Sequence, residues 1–133
     1  MKKLILLFLL SSNCFADQIL VSAVGHDIDS CKVDHRCDIR GTHDIQIIND
    51  SNESHHYFYS YILCANKQGT RTDCNIAKNQ ITVLQHSTWN NHFDSFSQPR
   101  FSLPTGYSYT VTTNVSGYAK SQIENKYSVK VNN

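Results

Sequence analysis

Beyond its first sixteen residues the chain has no methionine, few alanines and leucines, and only two glutamates, Glu53 and Glu124. These are the residues that build helices most readily, so their scarcity argues against a helical fold. Lysine and arginine number 12 against 11 acidic residues. No basic stripe is present, which removes the electrostatic footprint of a nucleic-acid binder. After the N-terminal segment there is no second long apolar run and no amphipathic helical stripe, so nothing marks a membrane span or a membrane-surface helix. The sequence also lacks a Gly-x-Ser-x-Gly elbow, a His-Glu-x-x-His pair and a phosphate-cradling glycine loop. No enzyme is expected, and no cofactor.

What is present is β-rich. Serine, threonine, tyrosine, valine and isoleucine are common, and they favour strands and turns. The N-terminus reads Met1-Lys2-Lys3, then Leu4 to Leu10 without a charge, then a polar stretch ending at Ala16. A charged start, a short apolar core and a small residue at the end form the pattern of a cleaved secretory signal. We therefore expect residues 1–16 to be a leader and 17–133 a single domain, periplasmic or secreted. Loss of Lys2 and Lys3 takes the net charge from +1 to −1.

Export would leave four cysteines: Cys31, Cys37, Cys64 and Cys74. An even number in an oxidising compartment predicts two disulfides. Three pairings are possible; Cys31–Cys37 with Cys64–Cys74 is the simplest because each pair is close in the chain.

Residues 107–115 alternate. Tyr107, Tyr109, Val111, Thr113 and Val115 point one way, and Ser108, Thr110, Thr112 and Asn114 the other. Period two with one apolar face predicts a half-buried strand. Ile45 and Ile47 give a second strand, Ile81 and Val83 a short one over 81–85, and Tyr127, Val129 and Val131 a last one. Residues 66–73 read as a hairpin loop with Cys64 and Cys74 at its feet. Residues 86–98 read as irregular, with Trp89, Phe93 and Phe96 supplying bulk. Residues 56–65 are apolar on both faces: Tyr57, Tyr59, Tyr61 and Leu63 on one, Phe58, Ile62 and Cys64 on the other. We expect Phe58 and Ile62 in the core and the tyrosine ladder on the outer face. The count is about seven strands and no helix.

Leu103-Pro104, then Gly106, then Tyr109-x-Val111 resembles the lead-in to a late strand of immunoglobulin-like and fibronectin-type sandwiches. The resemblance implies an all-β, immunoglobulin-like antiparallel β-sandwich. It also implies that a tyrosine hydroxyl, of Tyr109 first and Tyr107 second, ties back to an earlier backbone group. The likeness is confined to residues 103–115. No cysteine lies in 107–116, so the inter-sheet bridge of antibody domains is not expected.

Two stretches are candidates for function. Residues 25–41 form a polar, cysteine-bounded loop, and loops of that length in compact domains are often functional. Within it Lys32, Asp34, His35 and Arg36 are candidate partner contacts. The face of Tyr57, Tyr59 and Tyr61 is the other, because tyrosine anchors protein and sugar partners. The expected activity is binding of a protein or glycan. One alternative is an enzyme inhibitor that inserts the Cys31–Cys37 loop into a cleft. Another is a periplasmic metal binder using Asp27, Asp29, Asp34, His35 and Asp38, although their spacing does not match a calcium loop. Adjacent His55 and His56 on a strand face opposite ways, which argues against a shared ion with His43.

Overall fold

The computed structural model describes residues 17–26, 36–37, 39–67, 70–96, 103–104, 107–117 and 121–130. These form nine strands in chain order, seven of them long: β1 Gln18–Gly25, β2 Arg36–Cys37, β3 Arg40–Asn49, β4 His55–Lys67, β5 Thr70–Val83, β6 Ser87–Phe96, β7 Leu103–Pro104, β8 Ser108–Gly117 and β9 Ser121–Lys130. No helix occurs among the described residues.

Two antiparallel sheets face each other. One has three strands in the order β1-β3-β6, the other four in the order β5-β4-β8-β9; β2 and β7 form a separate two-residue ribbon. On one flank β1 lies over β8 and β9; on the other, β6 lies over β4 and β5. The chain changes sheet between β3 and β4, and buried Asn49 organises that crossing. Its amide donates to the carbonyls of Glu53 and Val83, and its oxygen accepts from the Ser51 backbone and hydroxyl. The return from β5 to β6 is a short turn in which His86 takes a left-handed backbone, φ 50°.

The β8 alternation is realised as predicted: Tyr109, Val111, Thr113 and Val115 are buried on the inner face. The assignment of β4 is reversed. Tyr57, Tyr61 and Leu63 are buried, Tyr59 is partly so, and Phe58 is 55 % exposed. The tyrosine ladder is therefore core, and Phe58 and Ile62 share the outer face. Ser60, Asn66 and His56 lie on the Phe58 side, so that side accepts water more readily. Of the expected 66–73 loop, Asn66 and Lys67 end β4 and residues 70–73 open β5, a 14-residue strand paired with β4 that also takes in 81–83 of the expected short strand. The irregular 86–98 stretch contains strand β6, paired with β3 from Arg40↔Phe96 to Asn49↔Ser87.

The core has two parts. One joins Ala23, Ile39, Leu63, Ala65, Tyr109 and Val111. The other joins Ile45, Ile47, Tyr57, Tyr61, Val83 and Val115. Between them, on β3 and β8, sit His43 and Thr113, both fully buried. The Thr113 hydroxyl donates to the Ser22 carbonyl at 2.8 Å. Its oxygen then accepts from His43 Nδ1 at 3.0 Å, and Nε2 accepts from the Ser95 hydroxyl at 2.8 Å. That assigns the Nδ1–H tautomer of a neutral ring. Close approach of the sheets is helped by Gly41, where a Cβ would meet the Val111 side chain at 2.6 Å.

Cys64 and Cys74 are cross-strand partners and form a disulfide. Cys31 lies outside the described residues, as do Lys32, Asp34, His35 and the acidic positions Asp27, Asp29 and Asp38. Arg36 and Cys37 are described as backbone only, paired with Pro104 and Leu103. The 1–16 segment is also outside the described residues.

Burial pushes the His43 imidazole down from 6.5 to about 4, against weaker opposing effects of the Thr112 backbone and of Asp44 and Asp94. The unfolded chain therefore binds a proton that the native state refuses between those values. Stability should be full above pH 6.5 and fall as pH drops toward 4, by up to about 3 kcal/mol from this group. Denaturant titrations at stepped pH should show that slope, and His43→Gln should flatten it. Replacing Cys64 and Cys74 together with serine should cost about 2–3 kcal/mol, since the staple closes a short loop; urea midpoints measure it.

Candidate recognition surfaces

The first surface is the outer face of the four-stranded sheet. Along β4 it carries Phe58, Ser60 and Ile62, and along β5 Ile76, Lys78 and Gln80, with Ile62 directly opposite Ile76. Phe58 and Ile76 are 55 % and 59 % exposed. On β8 the outward positions are Ser108, Thr110, Thr112, Asn114 and Ser116. Three consecutive members of that row hold a buried oxygen with no hydrogen-bond partner: Thr110 Oγ1, Thr112 Oγ1 and Asn114 Oδ1. Thr112 is only 2 % exposed although it faces outward. The Asn114 amide nitrogen donates to the Ser60 hydroxyl at 3.3 Å, which fixes its orientation. A groove of about 470 Å³ runs here, lined by Phe58, Ser60, Lys78, Gln80, Asn114 and Ser116 among others. Chemically it offers one aromatic ring, one cation and several amide and hydroxyl groups.

The second surface is the flank between β5 and β6. Both are edge strands, each paired on one side only. Between them lies a groove of about 390 Å³ lined by Tyr61, Ala77, Phe93 and Phe96 among others. Phe93 points inward from β6 and stacks on Tyr61, ring centroids 5.3 Å apart and planes 10° apart, yet stays 38 % exposed. The Asn91 amide donates to the Tyr61 hydroxyl at 2.6 Å. Burial raises the Tyr61 phenol to about 12, with the Asn91 bond opposing. Tyr59 packs on Trp89 at 5.4 Å. The three candidate tyrosines thus wall the interior, and Tyr61 alone lines this mouth. Tyr57 reaches the far end, where its hydroxyl donates to the Asp17 carboxylate, which also receives His55 Nδ1 at 2.8 Å.

The third surface is the outer face of the three-stranded sheet, which sequence reasoning missed. His92 Nδ1 meets Asp44 at 2.7 Å and Nε2 meets Asp94 at 3.2 Å. Thr42 donates to Asp94 at 3.1 Å and also meets His26 Nε2. Two carboxylates on opposite ring nitrogens call for both N–H groups, hence an imidazolium. The Asp44 bond, then the Asp94 bond, raise His92 above its usual value. His92 and Thr42 in turn hold Asp94 below the usual carboxylate range. Asp44 and His92 are register partners 48 residues apart in sequence, so only the strand pairing reveals the site.

Histidines 43, 55 and 56 do not converge. His43 bonds to Thr113 and Ser95, His55 to Asp17, and His56 to Thr82. Among the described residues, no group of three or more His, Cys, Asp or Glu stands where it could hold a metal ion.

No protein-family model matches the chain, and no curated protein matches its sequence. Solved structures of similar shape include a β-glucuronidase from Bacteroides uniformis, 12 % identical with a TM-score of 0.49. The match covers 84 % of this chain but 13 % of that one, so the chain spans only a small part of the enzyme's length. A FixG-related protein from Vibrio parahaemolyticus is 12 % identical, with a TM-score of 0.47, over 88 % of this chain and 98 % of that one. A putative ApaA protein from Bordetella pertussis is 12 % identical, with a TM-score of 0.42, over 86 % and 94 %.

The His92 lattice is testable by itself. A proton NMR titration should place the His92 midpoint above 6.5, and Asp44→Asn should move it downward. A midpoint unmoved by Asp44→Asn would contradict the lattice.

Proposed function

We propose that the protein is a small exported binding module, of immunoglobulin-like or fibronectin type, that recognises a protein or glycan partner without a cofactor. The fold reading is supported by the strand arrangement. The first, second and fifth long strands share one sheet; the third, fourth, sixth and seventh share the other. Antibody constant-type domains place the fourth strand on the opposite sheet and bridge the sheets with a disulfide. Here β5 extends the larger sheet, and Cys64–Cys74 lies within it. The family resemblance therefore points to the fibronectin side. Tyr109 does tie its hydroxyl to an earlier carbonyl, that of His26 at 2.6 Å. That carbonyl is 83 residues upstream rather than a few, so the bond pins the end of β1 instead of forming a tyrosine corner.

One observation carries the binding reading: Phe58 and the cross-strand pair Ile62–Ile76 stand on the outer face of the β4–β5 hairpin, with Ser60 and Lys78 between them. Two of these three side chains are more than half exposed. Exposed apolar patches rimmed by polar groups mark interaction sites, whereas scattered single residues do not. Beside these side chains the groove lined by Ser60, Lys78, Gln80, Asn114 and Ser116 offers hydroxyl, amide and ammonium groups to a partner. Thus the recognition face moves from the tyrosine ladder to its reverse side. The 25–41 loop, with Lys32, Asp34, His35 and Arg36, stands as a second contact region at the sequence level.

The test is capture from envelope or host extracts with immobilised protein. Phe58→Ser with Ile76→Ser should abolish capture of a specific partner. The melting transition should shift little, because surface changes are usually within about 0.5 kcal/mol. Undiminished capture by this variant would remove these side chains from the function.

A further inference from the structure

The geometry points to a docking site for an extended polypeptide strand from another protein, added to the free edge of β6. This rests on the binding reading and names the partner class for one surface of it. The three-stranded sheet ends at β6, while the four-stranded sheet facing it continues to β5. The inward side of β5 around Ala77 and Asn79 therefore has no strand opposite it, and both residues are exposed. An added strand beside β6 would lie over that half of β5.

Among the described residues β6 pairs with β3 alone, and its other edge carries no strand. β6 runs ten residues in uninterrupted register with β3. Alternate residues of an edge strand turn their N–H and C=O groups away from the sheet, where they template another strand. Natural edges are blunted by lysine, proline, bulges or short length. β6, Ser-Thr-Trp-Asn-Asn-His-Phe-Asp-Ser-Phe, has no lysine or proline and no bulge against β3. The opposite flank is protected: β1 and β9 pack against one another, and β9 carries lysines.

The groove defines the occupant. Its floor is the Tyr61–Phe93 stack, so inward positions of the added strand should be apolar and of valine or isoleucine size. Outward positions would stand beside Asn90, His92 and Asp94. Arg40 and His92 balance Asp44 and Asp94 on that face, and Asp94 on β6 is the carboxylate next to the edge. A strand alternating apolar with basic or hydroxyl residues would place a cation beside Asp94, whereas a second copy paired through its own β6 would bring its overhanging β5 into the space already held by this one. Main-chain bonds would supply the affinity and the groove the selectivity, as in strand addition generally.

The probe is a synthetic nonapeptide alternating valine with lysine and threonine. Wild-type protein should bind it, with a change in Trp89 fluorescence and slowed amide exchange confined to β6. Ala77→Trp fills the groove from an exposed position, so the fold should be unchanged by circular dichroism while binding weakens at least tenfold. Phe58→Ser should bind the peptide like wild type. No binding at millimolar peptide, protection on β1 or β5 instead, or equal binding by Ala77→Trp would overturn the proposal. So would sedimentation showing a dimer with β6 protected, which would make a second copy the occupant. If Ala77→Trp captures the extract partner normally and the Phe58/Ile76 variant does not, the edge site falls and the outer-face reading stands.

Discussion

The rest of the sandwich is arranged around one buried polar contact, the neutral imidazole of His43 held between Thr113 and Ser95. Seen from β3, β8 and β1, the apolar residues on either side of it belong to separate clusters. A dry interface between two sheets tolerates sliding as long as grease meets grease. A buried ring with two directional bonds does not, because an unmade bond costs the full desolvation of the group. Thr113 extends the constraint by donating to the Ser22 carbonyl, so β3, β8 and β6, through one side chain each, are indexed to one another and to the backbone of β1. This is a role for a buried polar group that stability alone would not favour: an apolar residue of that size could fill the space.

How much of this could be read in the sequence depended on whether a strand has a wet face. β8 was legible because its two faces differ sharply, tyrosine and valine against serine, threonine and asparagine. β4 was not, because it is apolar on both sides, and periodicity gives two faces without saying which is in. The polar members Ser60 and Asn66 on the Phe58 side carried the answer, along with the capacity of a tyrosine to bury its ring while satisfying its hydroxyl. β5 escaped notice for the opposite reason. From Lys78 to Gln80 it is exposed on both faces, so it shows no alternation, and its strand character comes from pairing with β4. β6 hid its period behind Asn91, an inward amide between Trp89 and Phe93 whose place is explained only by the Tyr61 hydroxyl across the interior.

The candidate sites divide along the same line. Residues 57–61 were expected to present tyrosines on an outer face, and the structure turns those tyrosines into the interior. The His92–Asp44–Asp94 lattice had no local signal, since its members come together by register alone. Cys64–Cys74 was favoured from proximity in sequence and is the bond that forms; the companion pair involves Cys31 and lies outside the described residues.

The placement of that disulfide follows from the shape of the flank it serves. A hairpin strand is stable when its inward side chains meet an opposing sheet. β5 has that support at Ile81 and Val83, close to the turn into β6, and loses it at Ala77 and Asn79, which are exposed. The near end is held by packing. Toward the far end the covalent link at Cys64–Cys74 limits separation of the two strands in the unfolded chain, which is where such a bond acts most. The link leaves the inner side of β5 unfilled while keeping it extended. β5 is thus kept in register with β4 where no opposing sheet covers Ala77 and Asn79.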